Sequence, residues 1–144
     1  MLFADRRSLY ASFMRSAIII DETLPTGLLA NAVACIVTGL FNGEPEALGP
    51  SIDGDGCTFI PITKIAILVF KKGESGFSSF LDRAKALNLK YMLFTKEGQS
   101  TVSYEEYIQR VQGKKPEELT VIGLGVIGED AAVKEFSKGL TLLR

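Results

Sequence analysis

Two pairs of adjacent ionisable residues have the types that acid–base chemistry needs. Asp21 and Glu22 stand where the apolar run Ser16–Asp21 (SAIIID) gives way to Pro25-Thr26. The carboxyl edge of a buried strand is where ligands enter α/β sheets. Burial that raises one carboxyl pKa of such a pair would equip it for proton transfer; as exposed turn residues the two would do neither. Lys96 and Glu97 form the second pair, following Tyr91–Phe94 and preceding the polar Gly98–Thr101. A water activated by Glu97 or Asp21, with Lys96 facing the oxyanion, would make an ester or amide hydrolase. The chain contains no histidine, which removes the commonest general base, the usual triads and every imidazole metal ligand.

Cys35 lies beside Ile36 in a helical pattern and reads as an inert buried thiol, whereas Cys57 follows a turn and reads as exposed but unactivated. Two cysteines fall short of a structural zinc set, and without a secretory segment they point to a reducing, cytoplasmic compartment. Asp53-Gly54-Asp55-Gly56 has Thr58 and Lys64 where a calcium loop needs glycine and glutamate, so it reads as a tight turn. No metal and no cofactor are expected. Gly123-Leu124-Gly125-Val126-Ile127-Gly128 matches G-x-G-x-x-G literally. The dinucleotide fingerprint also needs a second strand about twenty residues on, bearing an acid for the ribose. Only sixteen residues follow Gly128, so these glycines are assigned to close helix packing.

The elements that must position these residues follow from the periodicity. Ser16–Asp21 and Ile65–Phe70 are unbroken apolar runs, as in buried strands. Between them, Leu28, Leu29, Ala32, Val33, Ile36, Val37, Leu40 and Phe41 form a double i, i+4 ladder with Thr26 as its N-cap and Asn42-Gly43 as its stop. Glu44–Gly56 is a loop or hairpin turn, and Cys57–Ile62 a short extended piece. Phe77–Asn88 is a helix, Tyr91–Phe94 a strand, and Ser103-Tyr104-Glu105-Glu106 a capping box that opens another helix. Leu119–Val126 is the last strand and Ala131–Phe136 the last helix. Strand and helix alternate four times, which predicts one α/β domain with a mainly parallel or mixed sheet covered on both faces.

The 144 residues suffice for one core, and 47% hydrophobic residues exclude disorder. Sixteen basic and seventeen acidic residues leave a net charge of -1, which argues against nucleic acid as partner. Met1–Arg15 has no run that spans a membrane. Met14 precedes the first strand, so residues 1–14 read as an extension ahead of a single domain over 15–144, with Met14 as a candidate start that N-terminal sequencing of the native protein tests.

The segments IIIDETLPTGLLANAVACIVTGL, FIPITKIAILVF and LTVIGLGVIGEDAAVKEFSKGLTLLR together resemble the domain-of-unknown-function family numbered 2000, over nearly all of Ser16–Arg144. The Asp21–Asn31 opening and the Gly139–Arg144 tail are its more specific parts. That family has a fold similar to type-2 peptidyl-tRNA hydrolases, and the resemblance implies a three-layer α/β/α domain with a mixed four-stranded sheet, often a homodimer. The hydrolase chemistry does not carry over. Where those enzymes have a lysine after a glycine, Gly27 is followed by Leu28; their T-D-x-G pattern reads Thr95-Lys96-Glu97-Gly98. Glu97 and Ser100, the latter near an expected hydroxyl, are what remains similar.

The leading expectation is therefore a small-molecule or peptide-binding domain, with Asp21, Glu22, Asn31, Ser100 and Thr101 as ligand contacts. A hydrolase using Lys96 and Glu97 is one alternative. A dimeric structural or interaction protein, with a face along Leu28–Phe41 that a Phe41 substitution would break, is the other.

Overall fold

The computed structural model describes residues 13–144. Its main sheet runs β4-β1-β6-β5, built from β1 (Met14–Ile20), β4 (Ile67–Lys71), β5 (Lys90–Thr95) and β6 (Val121–Glu129). β1 pairs parallel with β4 and antiparallel with β6, and β5 pairs antiparallel with β6. The sheet is thus mixed, with β6 the one reversed strand. Of the extension expected over residues 1–14, residues 1–12 lie outside the described residues, and Met14 already pairs with Glu129 in β1.

Five helices are described: α1 (Thr26–Phe41), α2 (Phe77–Ala86), α3 (Lys96–Gln99), α4 (Tyr104–Val111) and α5 (Asp130–Ser137). On one sheet face, Ile18, Ile20 and Ile127 meet Ala32, Ile36 and Leu40 of α1. On the other, Ala17, Ile19, Leu124 and Val126 meet Phe80 and Ala84 of α2 and Val133 and Phe136 of α5. Period-two alternation sends neighbouring residues of β1 to opposite cores. β6 breaks that alternation once. Phe94 pairs with Gly123 but Thr95 with Val121, leaving Ile122 as an extra residue. The bulge returns Ile122 to the α1 side, where it is buried.

Glycine in β6 serves packing. A Cβ at Gly123 would stand 2.5 Å from Ile36 Cδ1, and one at Gly125 would stand 2.4 Å from Ile36 Cγ2 and 2.6 Å from Leu40 Cδ1. The G-x-G-x-x-G run lies wholly inside the strand, and α1 rests directly on it. Lys90 on β5 secures the far end of α1 by donating from Nζ to the carbonyls of Leu40 (2.9 Å) and Asn42 (2.7 Å), where a cation also suits the helix dipole.

Four sequence expectations change. Thr26 is the first helical residue rather than the N-cap; Pro25 holds that position and makes no side-chain cap bond. In the capping box, Ser103 does accept from Glu106 N (3.2 Å), but the Glu106 carboxylate turns to Val102 N and Arg110. Phe41 is buried against the sheet, at 6% exposure, so it lines the core and no external dimer face. Cys35 is exposed, because adjacent helical residues diverge by about 100° and its neighbour Ile36 takes the inward position.

Candidate functional site

α1 presents its outer face through Leu28, Asn31 and Cys35, which recur at i, i+3 and i+7 and are all exposed. Facing them is a tight unit made of α3 and the start of α4. Thr95 caps α3 by accepting from Gly98 N at 3.0 Å, and Thr101 Oγ1 donates to the Gly98 carbonyl at 2.7 Å. Gly98 must lack a side chain, since a Cβ there would stand 2.6 Å from the Tyr107 ring. Arg110 reaches back from α4, donating to the Glu97 carbonyl (3.1 Å) and to Ser100 Oγ (2.9 Å), and it also pairs with the Glu106 carboxylate. These bonds hold α3 and α4 as one body.

Between α1 and that body lies a cleft of about 350 Å³. Gln99 bridges its walls by donating from Nε2 to the Leu28 carbonyl (2.7 Å) and to Asn31 Oδ1 (3.1 Å). The Cys35 thiol makes a weak contact to the same Asn31 oxygen at 3.9 Å. Tyr104 and Tyr107 form the opposite wall, ring edge to ring face, with centroids 5.8 Å apart. Burial pushes the Tyr107 phenol pKa above its ordinary value, and neighbouring Tyr104 and Cys35 add to the effect. The lining contains no Asp, Glu, Lys or Arg.

The sequence candidates divide. Asn31 and Thr101 line the cleft. Ser100 stands just outside it and serves Arg110. Asp21 folds onto its own turn, accepting from Thr23 N (3.0 Å) and Thr23 Oγ1 (2.6 Å), while Glu22 accepts from Gly73 N at 3.2 Å. Both therefore act in the loops after β1 and β4 rather than in the cleft. Glu97 points away from it, and both carboxylate oxygens accept from Thr120 N at 3.0 Å. Desolvation works to raise the Glu97 pKa, but the hydrogen bonds from backbone Glu97 and Thr120 and from the Thr120 and Thr95 side chains outweigh it and leave the group below its ordinary value. Lys96 is exposed and lies outside the lining.

Sequence reasoning missed Gln99, Tyr104 and Tyr107. The one sequence signal is the place of Tyr104 inside the capping motif, among polar residues at a helix start; the structure leaves its ring 72% exposed. A second hollow of about 230 Å³ lies by Leu93, Pro116 and Val121, with mainly apolar walls. Among the described residues, no three His, Cys, Asp or Glu side chains group as metal ligands. No described helix is long and apolar enough to cross a membrane.

No curated protein matches the chain. A solved structure of a protein of unknown function from Agrobacterium tumefaciens superposes with a TM-score of 0.80 at 20% identity, covering 91% of this chain and 98% of that one. It shares the fold. The family model described as a protein of unknown function, DUF2000, matches residues 14–144, and the chain belongs to that family.

Proposed function

We propose that this protein is a small-molecule or peptide-binding domain on a peptidyl-tRNA hydrolase II-like scaffold, and that its site is the cleft between α1 and the α3–α4 unit. One observation carries the reading: uncharged polar side chains and an aromatic pair converge there, while no nucleophile–base pair does. Hydrolysis needs a base within hydrogen-bond reach of the water it activates. Glu97 is turned to Thr120 N, and neither it nor Lys96 is in the lining. The exposed thiols Cys35 and Cys57 fit a reducing, cytoplasmic setting. The test is a thermal melt against neutral small molecules and short peptides. A ligand should raise the melting temperature of wild type and leave Asn31→Ala unmoved; one that stabilises both equally refutes the site. Release of tRNA from an N-blocked aminoacyl-tRNA should stay at the buffer rate.

A second reading concerns self-association, and it rests on the hairpin of β2 (Ile52–Asp53) and β3 (Thr58–Phe59). Ile52, Phe59, Ile60 and Ile62 are each 57–75% exposed there. Apolar groups gathered on one arm favour contact with a second copy. Sedimentation equilibrium of Phe59→Ser/Ile62→Ser beside wild type tests it; an unchanged mass for the variant, or a monomeric wild type, refutes it.

A further inference from the structure

We infer that the cleft selects a neutral ligand carrying an amide, a peptide bond or carboxamide, whose carbonyl accepts from Asn31 Nδ2 and whose N–H donates to Gln99 Oε1. The inference rests on the cleft being the binding site and adds the chemistry of what it binds.

The hydrogen-bond order fixes which atoms remain. A backbone carbonyl only accepts, so the Leu28 oxygen at 2.7 Å requires the nitrogen of Gln99 to face it. The second N–H of that nitrogen goes to Asn31 at 3.1 Å, which requires Asn31 to present its oxygen. Both amides are thereby oriented. What remains is one donor, Asn31 Nδ2, and one acceptor, Gln99 Oε1, neither with a partner among the described residues. A donor beside an acceptor is the complement of an amide.

Charge supports the same class. With no cation in the lining, a phosphate or carboxylate would meet the Gln99 oxygen without compensation, and an ammonium would meet no carboxylate. The amide plane has a flat neighbour in Tyr104, and a small apolar substituent has Val102, which is 94% exposed at the rim.

Three probes share one branched chain: N-acetyl-leucinamide, 4-methylpentanoic acid, which carries no amide, and isopentyl alcohol. Each is titrated into uniformly nitrogen-15-labelled protein, following the backbone signals of Gly98, Gln99 and Val102 and the side-chain amide signals of Asn31 and Gln99. The expected result is binding of the amide roughly tenfold tighter than the acid, the effect of one misplaced charged hydrogen bond. Asn31→Asp keeps the acceptor that Gln99 needs and removes the free donor, so it should fold normally and bind the amide roughly tenfold more weakly than wild type does. Acid binding as tightly as amide overturns the inference. If the alcohol moves the cleft signals as strongly as the amide, the chemical class falls and the binding site stands. If none of the three moves them, both fall.

Discussion

Alanine at Gly123 and at Gly125 probes two different atoms of one α1 residue, Ile36. A Cβ at Gly123 meets Ile36 Cδ1 at 2.5 Å and Ile20 Cδ1 at 3.0 Å; one at Gly125 meets Ile36 Cγ2 at 2.4 Å and Leu40 Cδ1 at 2.6 Å. Carbon contacts settle near about 3.5–4.0 Å, so each substitution demands a shift of about 1 Å. The Cδ1 atoms end flexible chains and can rotate away. Cγ2 is fixed to the branched Cβ, and yielding there means moving α1 itself. Overpacking costs about 1–3 kcal/mol, so Gly123→Ala should lie near the bottom of that range and Gly125→Ala near the top. With a urea m-value of about 2 kcal/mol/M, the midpoints fall by roughly 0.5 M and 1.5 M. Ile36→Val deletes Cδ1 and keeps Cγ2, at its own cost of about 1 kcal/mol. It should therefore relieve Gly123→Ala, giving a double variant more stable than additivity predicts, while Gly125→Ala combines additively to within about 0.5 kcal/mol. Urea unfolding followed by circular dichroism gives all five variants. Equal coupling at the two glycines, or unchanged midpoints, would refute the assignment of the G-x-G-x-x-G run to helix packing.

Three further outcomes follow from the same geometry. Ser16 is fully buried and its hydroxyl has no partner among the described residues; Ser16→Ala should raise stability by about 1 kcal/mol in urea melts. Glu97 has a folded pKa below its ordinary 4.5, so its contribution is present above that value and lost as pH falls through the folded pKa. Glu97→Ala should cost about 1 kcal/mol at neutral pH and flatten the acid limb of stability against pH; an unaltered limb contradicts this. Both thiols are exposed and should react with a disulfide reagent in the folded state, and N-acetyl-leucinamide should slow Cys35 but not Cys57.

The parts of the fold legible in the sequence are those where one period dominates. β1 and the α1 ladder carry unbroken patterns, and from Leu29 to Phe41 the ladder turns inward as its spacing requires. Leu28 is the exception at 46% exposure. It is in phase with Asn31 and Cys35, so the helix face that builds the cleft begins on a residue that looks like core. Cys35 is exposed on that same face although its neighbour Ile36 is buried, since adjacency in sequence is not adjacency on a helix. The bulge at Ile122 gave no local sign, because either register buries an isoleucine. The cleft itself depends on Gln99 meeting Leu28 across seventy-one residues, a contact that no local pattern encodes. Glu97 was a candidate by type, but its role follows from Thr120 N, again distant in the chain.

The most direct measurement of the central claim is backbone chemical-shift mapping of the labelled wild-type protein with N-acetyl-leucinamide. Saturable perturbations are expected only at residues lining the cleft, among them Asn31, Cys35, Gly98, Gln99 and Tyr104, and they should be lost in Asn31→Asp. Perturbations centred instead on Leu93, Leu119 and Val121 by the second hollow, or persisting in the variant, would contradict it.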